Sequence, residues 1–288
     1  VLRGPQGTLF GRNTSAGALN VTNARPDVTE FGGFVNAGYG NFNEVSVQGA
    51  VNVPIVQDTL AMRVTGAYRQ RDGFLDVVDR TGAKIGETND VDQWLVRGQL
   101  GWDTESGLRG RIIADYSKSK SSCCGAIELY QSPLVTGGAY AAVGLGANGG
   151  NGQPSVSTNR DDQGAFEQAM DNRTVSANFA PRADVDNYGV TGELEFPLSD
   201  NADLIFIGSY RKYESFENYD SDFTALDIFN VPGLNLEIDN WTAELRLQGE
   251  AFDGRLDWLV GGYYANERLD VDDDIVYGAN YEKFANCL

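Results

Sequence analysis

The feature that most constrains this chain is a period of two. Across residues 44–53 one face reads Val45, Val47, Gly49, Val51, Val53, and the other reads Glu44, Ser46, Gln48, Ala50, Asn52. Alternation over that length specifies a strand with one apolar and one polar face. The pattern recurs. Leu60, Met62, Val64, Gly66 and Tyr68 oppose Ala61, Arg63, Thr65, Ala67 and Arg69. Trp94, Val96, Gly98, Leu100 and Trp102 oppose Gln93, Arg97, Gln99 and Asp103, with Leu95 as an exception on the polar side. Ile112, Ala114 and Tyr116 oppose Arg109, Arg111, Asp115 and Ser117, with Ile113 as the exception on the polar side. Tyr188, Val190, Leu194 and Phe196 oppose Asn187, Thr191, Glu193 and Glu195, and Trp241, Ala243, Leu245 and Leu247 oppose Thr242, Glu244, Arg246 and Gln248. Residues 33–39, 203–212 (less cleanly, with Ile205 and Ile207 on the polar side) and a run from Leu256 through Tyr264 complete a predicted set of nine strands.

Most of these runs reach ten residues or more. Strands in soluble sheets average about 5–6 residues, whereas tilted membrane strands need about 9–11. Aromatics fall near strand ends (Tyr39, Tyr68, Trp94, Trp102, Tyr116, Tyr188, Phe196, Trp241, Tyr264). That placement fits girdles at two lipid–water interfaces better than a sandwich core. The connections add a second regularity. Residues 55–58, 104–107, 199–201 and 252–254 are tight turns rich in Gly, Asn, Asp and Ser. The alternate connections begin short at 41–43 and then lengthen to 72–90, 119–185 and 215–236. Outer-membrane barrels alternate short periplasmic turns with long external loops in this way. The predicted fold class is all-β: an antiparallel transmembrane β-barrel, partial, of about nine strands.

Composition narrows the chemistry. The net charge of −19 argues against nucleic acid as a partner. Histidine is absent, which removes Ser-His-Asp triads, Cys-His pairs and His-ligated zinc from this chain. Three cysteines without a CxxC pair make neither a disulfide framework nor a zinc knuckle. No catalytic, cofactor-binding or metal-ligating set emerges. Residues 144–149 match GxGxxG, but they lie in a Gly-rich tract without the strand and helix a nucleotide site requires.

Residues 1–26 do not alternate. They read VLRGPQGTLFGRNTSAGALNVTNARP. This stretch resembles the end of the plug domain of TonB-dependent receptors, where Val-Leu-Arg-Gly-Pro-Gln-Gly leads through Leu-Phe-Gly-Arg-Asn to a run of small residues and a short strand. The positions carrying the resemblance include Arg3, Gly4, Pro5, Gly7, Gly11, Arg12 and Asn13. Gly4-Pro5 is also a turn signal in its own right. The resemblance implies two parts: a C-terminal piece of the plug over 1–26, and the N-terminal part of the barrel over 27–288. It also implies that the energy-coupling segment and most of the plug lie upstream, with about thirteen further strands downstream. Both ends of the sequence look cut, and nine strands alone cannot close a barrel in lipid.

In that family plug arginines pair with carboxylates on the inner wall. Glu193, Glu195 and Glu244 face that wall here and are the expected partners of Arg3 and Arg12; the alternative is that both arginines are solvated in a water-filled interior. The inner wall also carries Arg63, Arg69, Arg97, Arg109 and Arg111, which would suit an anionic ligand unless local ion pairs neutralise them. Cys123 and Cys124 sit in the longest loop and Cys287 in what reads as a later one. A loop-to-loop bridge, an adjacent pair and partners outside this chain all remain open. Asp270, Asp272, Asp273 and Asp274 read as a solvated acidic loop, since EF-hand spacing is absent.

The resemblance implies energised uptake of a scarce solute across the bacterial outer membrane, with a ferric siderophore as the default ligand. The implied partners are outer-membrane lipid and the TonB energy-coupling complex, reached through the upstream segment. A passive porin-like channel and a receptor for an oligosaccharide or vitamin are the alternatives. No enzymatic activity is expected.

Overall fold

The structure, a computed structural model, describes residues 2–5, 16–19, 21–123, 125, 127 and 163–286. Among them one antiparallel sheet of nine strands dominates. Its members are β3 (Gly32–Gly40), β4 (Glu44–Val56), β5 (Leu60–Arg71), β8 (Val91–Asp103), β9 (Arg109–Ser121), β11 (Arg182–Ser199), β12 (Ala202–Asp220), β13 (Phe229–Ala251) and β14 (Leu256–Tyr277). They stand side by side in chain order, each paired only with its sequence neighbours in the sheet. A meander of this kind needs no crossover and is built from hairpins alone. All nine strands expected from alternation are present.

Exposure is inverted relative to a soluble protein. The buried side chains of the sheet include Asn52, Gln99 and Arg111, at 3%, 4% and 8% exposure. Val47, Val64, Leu100, Ile112, Phe206 and Leu245 are exposed. The register explains the segregation. Arg63↔Gln99, Gln99↔Ile113 and Arg111↔Glu193 fall on one face, and Met62↔Leu100, Leu100↔Ile112 and Phe206↔Leu245 on the other. A large exposed apolar face marks a binding or membrane surface.

That outward face carries one aromatic on each of six consecutive strands: Tyr68, Trp94, Tyr116, Tyr188, Tyr210 and Trp241. Some neighbouring rings touch, with centroids 5.0 Å apart for Trp94–Tyr116, 6.2 Å for Tyr116–Tyr188 and 4.5 Å for Tyr210–Trp241. Trp102 and Trp258 lie toward the opposite strand ends. Each lies over a glycine: a Cβ on Gly110 would come within 2.2 Å of the Trp102 ring, and one on Gly249 within 3.0 Å of Trp258.

The tight turns hold residues in the left-handed region, among them Asp58 (φ 60°), Gly107 (φ 81°) and the run Phe252, Asp253 and Gly254. The other end of the sheet departs from expectation. The predicted loop over 215–236 shrinks to residues 221–228, because β12 and β13 continue pairing beyond the alternating region. The acidic run is corrected in the same way: Asp270, Asp272, Asp273 and Asp274 belong to β14, opposite Glu237, Asn235, Leu234 and Gly233. The physical reason is hydration. Where both faces meet water, a strand keeps its ladder without needing an apolar side, so the period-two signal stops before the strand does.

The predicted loop over 72–90 contains a hairpin, β6 (Leu75–Val78) with β7 (Lys84–Thr88), and β6 also pairs in parallel with β10 (Thr174–Ser176). β10 follows helix α1 (Gln163–Asn172), and a short helix α2 (Tyr281–Ala285) follows β14. These pieces build a small cap over the long-loop end of the sheet. One apolar cluster joins Leu75, Val77, Val175 and Ala177, and a second joins Leu226 and Ile228 with Phe229, Tyr281 and Phe284. No helix among the described residues is long and apolar enough to cross a membrane; the sheet is the apolar element.

Candidate functional site: the inner wall beneath the N-terminal segment

Two strands of two residues each, β1 (Leu2–Arg3) and β2 (Gly17–Ala18), pair antiparallel in the N-terminal segment. Gly4 follows at φ +82°, where a side chain would be strained, and its N–H donates to the Ala16 carbonyl at 3.3 Å. Arg3 thus lies in β1, and Pro5 follows the bend at Gly4. Gly7, Gly11, Arg12 and Asn13 lie outside the described residues, as do Cys124, Cys287 and the GxGxxG match at 144–149.

Residues 23–30 then run across the polar face near the tight-turn end, and nearly every step is fastened. Arg97 donates to the Asn23 side chain at 2.8 Å, and Gln99 donates to the Ala24 carbonyl at 3.1 Å. Pro26 sits on Gly101, where an added Cβ would meet its ring at 3.1 Å. Asn52 reads the backbone from both sides: it accepts from the Asp27 N–H at 2.8 Å and donates to the Asp27 and Glu30 carbonyls at 2.9 and 2.7 Å. Gln57 donates to the Thr29 carbonyl at 2.9 Å, and the Asp58 N–H donates to the Val28 carbonyl at 2.9 Å. Asp27 closes a local turn by accepting from Thr29 and Glu30, and the Thr29 hydroxyl, ahead of the Thr29 N–H, holds its carboxyl below the ordinary carboxylate range.

Glu193 is the centre of the charged part. It accepts from Arg111 at 2.6 and 3.2 Å, a two-pronged contact, and from Arg25 at 3.2 Å. Arg111 also donates to the Gln99 side chain at 3.3 Å, which links the ion pair to the Ala24 contact. One carboxylate therefore joins a wall arginine to an arginine of the N-terminal segment. Glu195 faces the same wall and pairs with Arg109 at 3.8 Å, and Glu244 pairs with Arg246 on its own strand. Sequence reasoning singled out Glu193 but not Arg25, and it overlooked Asn52 and Gln99, whose neutral amides give no charge signal.

The wall arginines are largely compensated. Arg69 pairs with Glu44 at 3.0 Å, Arg97 with Asp115 at 3.7 Å, and Arg211 with Asp115 at 3.1 Å. Toward the long-loop end lies a depression of about 660 Å³, lined mostly from the polar face by residues including Ser46, Gln48, Arg69, Gln93, Ser117 and Asn187. It offers hydroxyls, amides, the Arg69–Glu44 ion pair and Lys118, which pairs with Asp186 at 2.9 Å. Cys123 is disulfide-bonded to a partner outside the described residues. Among the described residues no group of three or more acidic or sulfur ligands is placed to hold a metal ion.

An apolar outward face, a polar inward face and an N-terminal segment fastened across the latter are the features of a β-barrel wall with a segment laid over its inner side. The fold is that of the TonB-dependent outer-membrane receptors. The ferric yersiniabactin uptake receptor of Yersinia pestis aligns with 96% of this chain and 36% of its own length at a TM-score of 0.71 and 14% identity. The siderophore receptor PiuA of Acinetobacter baumannii aligns over 97% and 37%, at 0.65 and 14%. The ferric-catecholate import receptor Fiu of E. coli aligns over 93% and 36%, at 0.62 and 14%. The chain thus spans a little over a third of the receptors it matches. No family model matches the sequence.

Proposed function

We propose that this chain is the plug–barrel junction and adjoining wall of a TonB-dependent receptor that takes up a ferric siderophore across the bacterial outer membrane. Residues 1–26 would close the plug, and 27–288 would form wall and external loops. The observation that carries the reading is the fastening of residues 23–30 across the inner wall, centred on Glu193. A segment laid over the lumen favours a plugged receptor over an open pore. Likeness in fold to several siderophore receptors supports the choice of ligand.

The mechanism assigns different parts to different residues. The TonB complex would pull on the segment upstream, and the plug would rearrange. Residues 23–30 would stay on the wall as the fixed end. Most inner-wall arginines (Arg69, Arg97, Arg109, Arg111 and Arg211) are tied to carboxylates and give an anionic solute little net attraction, so recognition falls largely to the loop cap and to the hydroxyls and amides of the upper wall. Arg3 and Arg12 are proposed to take carboxylates of the wall in the complete receptor, with Glu195 and Glu244 as candidates beside Glu193. No step needs a catalytic group, a resident metal or a cofactor; iron arrives as cargo.

The test is uptake of a panel of labelled ferric siderophores by the full-length parent protein in outer membranes, with and without a proton gradient. Gradient-dependent uptake of one of them is expected. Leakage of many small solutes without the gradient would replace the reading with a passive channel, and uptake of an oligosaccharide or vitamin instead would change the ligand.

A further inference from the structure

Four segments of the cap converge on one acidic knot. Asp220 ends β12, well past the length a strand needs to cross the membrane, and is 4% exposed. It accepts from the Asn178 N–H at 2.9 Å and the Asp222 N–H at 3.2 Å. Asp222 accepts from the N–H groups of Thr224, Ile228 and Phe229 at 3.0, 3.2 and 2.9 Å, and from the Thr224 hydroxyl. Asp227 accepts from Asn178 and Asn230 and from the Ala279 N–H at 2.8 Å. Asn178 and Asn230 are themselves joined at 2.8 Å, and Asn280 accepts from the Asp227 N–H at 3.2 Å. The segment after β10, the tip between β12 and β13, the start of β13 and the segment after β14 are thereby tied together.

Asp222 lies two residues after Asp220 on the same tip, and its N–H bonds the buried Asp220 carboxyl at 3.2 Å, which keeps the two acidic residues together in this knot. Val77 of β6, Val175, Ser176 and Ala177 at and after β10, Gly125, Pro181, Tyr219 and Phe223 line a small pocket together with Asp220, and the Asn178 N–H donates to the Asp220 carboxyl. Thr224 and the amides of 228 and 229 surround Asp222. Among the described residues that line this pocket or bond the two carboxyl groups, none is a cation. Two carboxylates so placed repel, and neither is hydrated as in water. One proton between them removes the repulsion and supplies a donor.

We propose that the cap is a proton-operated clasp: a proton shared by Asp220 and Asp222 holds the external loops together in acid, and its loss as the pH approaches neutrality loosens them. Burial, and then the charge of Asp222, push the Asp220 carboxyl up to about 7; burial pushes Asp222 up as well. The sign follows from linkage. Below the ordinary carboxylate range both the closed and the open cap are protonated, and closure is strongest. Between that range and about 7 the open cap ionises first, so closure weakens by up to about tenfold per pH unit, and above that it levels off. The clasp does not depend on what the receptor transports.

Hydrogen exchange of the full-length protein in detergent, corrected for the intrinsic pH dependence of exchange, reads this directly. Between about pH 5 and about pH 8, peptides covering 174–182 and 221–230 should lose protection and then plateau, while peptides of β8 and β9 stay constant. Asp220→Asn, whose amide can donate to Asp222 and accept from Asn178, should keep the cap protected throughout; Asp222→Asn is the second variant. A flat profile in the unaltered protein overturns the clasp, and so does a loss of protection at every pH in either variant. Protection restored near neutrality by added calcium, in the unaltered protein only, would replace the proton by a cation. If neither variant assembles, the profile of the unaltered protein decides alone. Uptake is not measured, so failure here leaves the transport reading standing, and the reverse holds too.

Discussion

Glu193 has two arginine partners of unequal weight. Arg111 is 8% exposed and bound through two nitrogens, whereas the Arg25 side chain is 57% exposed and touches at one point. Removing the carboxylate strands a buried guanidinium, whereas removing Arg25 leaves Glu193 with its stronger partner. Glu193→Ala in the full-length protein is therefore expected to cost about 2–4 kcal/mol in denaturant unfolding, somewhat reduced by the residual exposure of the pair. Arg25→Ala should cost about 0–1 kcal/mol. Equal losses would mean that Arg25, not Arg111, is the main partner. Glu193 could be read from the sequence because alternation fixes which face it occupies. Arg25 could not, since it precedes the first strand, where no period tells a reader which way a side chain points. The fastening by Asn52 and Gln99 was also hidden, because a buried amide and an exposed one look alike in a sequence.

Among the strands, the glycines on the outward face are not equivalent. Gly110 lies under the Trp102 ring, while a Cβ on Gly98 would meet nothing within 4 Å. Gly110→Ala should cost about 1–3 kcal/mol as the indole is displaced. Gly98→Ala should change thermal unfolding little, and comparable losses at both positions would deny Trp102 its role. Height on a strand matters as well. Leu245→Arg, in the apolar band, is expected to cost about 2–4 kcal/mol, falling to about 0–1 for a basic residue near the interface. Arg268 of β14, paired with Asp270 at 2.8 Å and opposite Asp239, shows a cation held above the Trp241 level. The same boundary sets how far the strands were legible. All nine could be found where one face must be apolar. The outer halves of β12, β13 and β14, and the short strands β6, β7 and β10, could not, because water on both sides removes the constraint that writes a period into the sequence.

For the molecule as a whole, the belt of outward aromatics carries a geometric consequence. Tyr68 and Trp94 are directly opposite, but the residue opposite Trp94 on β9 is Lys118, and the belt continues at Tyr116. The same step recurs. Tyr188 faces Lys212 while the belt passes to Tyr210, and Trp241 faces Asn266 while it passes to Tyr264. The belt thus slips six residues across the six pairings from β5 to β14. If its rings mark one level of the bilayer, each strand leans. One residue of ~3.4 Å per strand spacing of ~4.8 Å gives a tilt of about 35° from the membrane normal. That lies within the ~35–45° of closed barrels. A stagger of one residue per strand would, on closure, give a barrel whose shear about equals its strand number. Nine strands that make only part of a wall already fix the pitch at which the rest must wind.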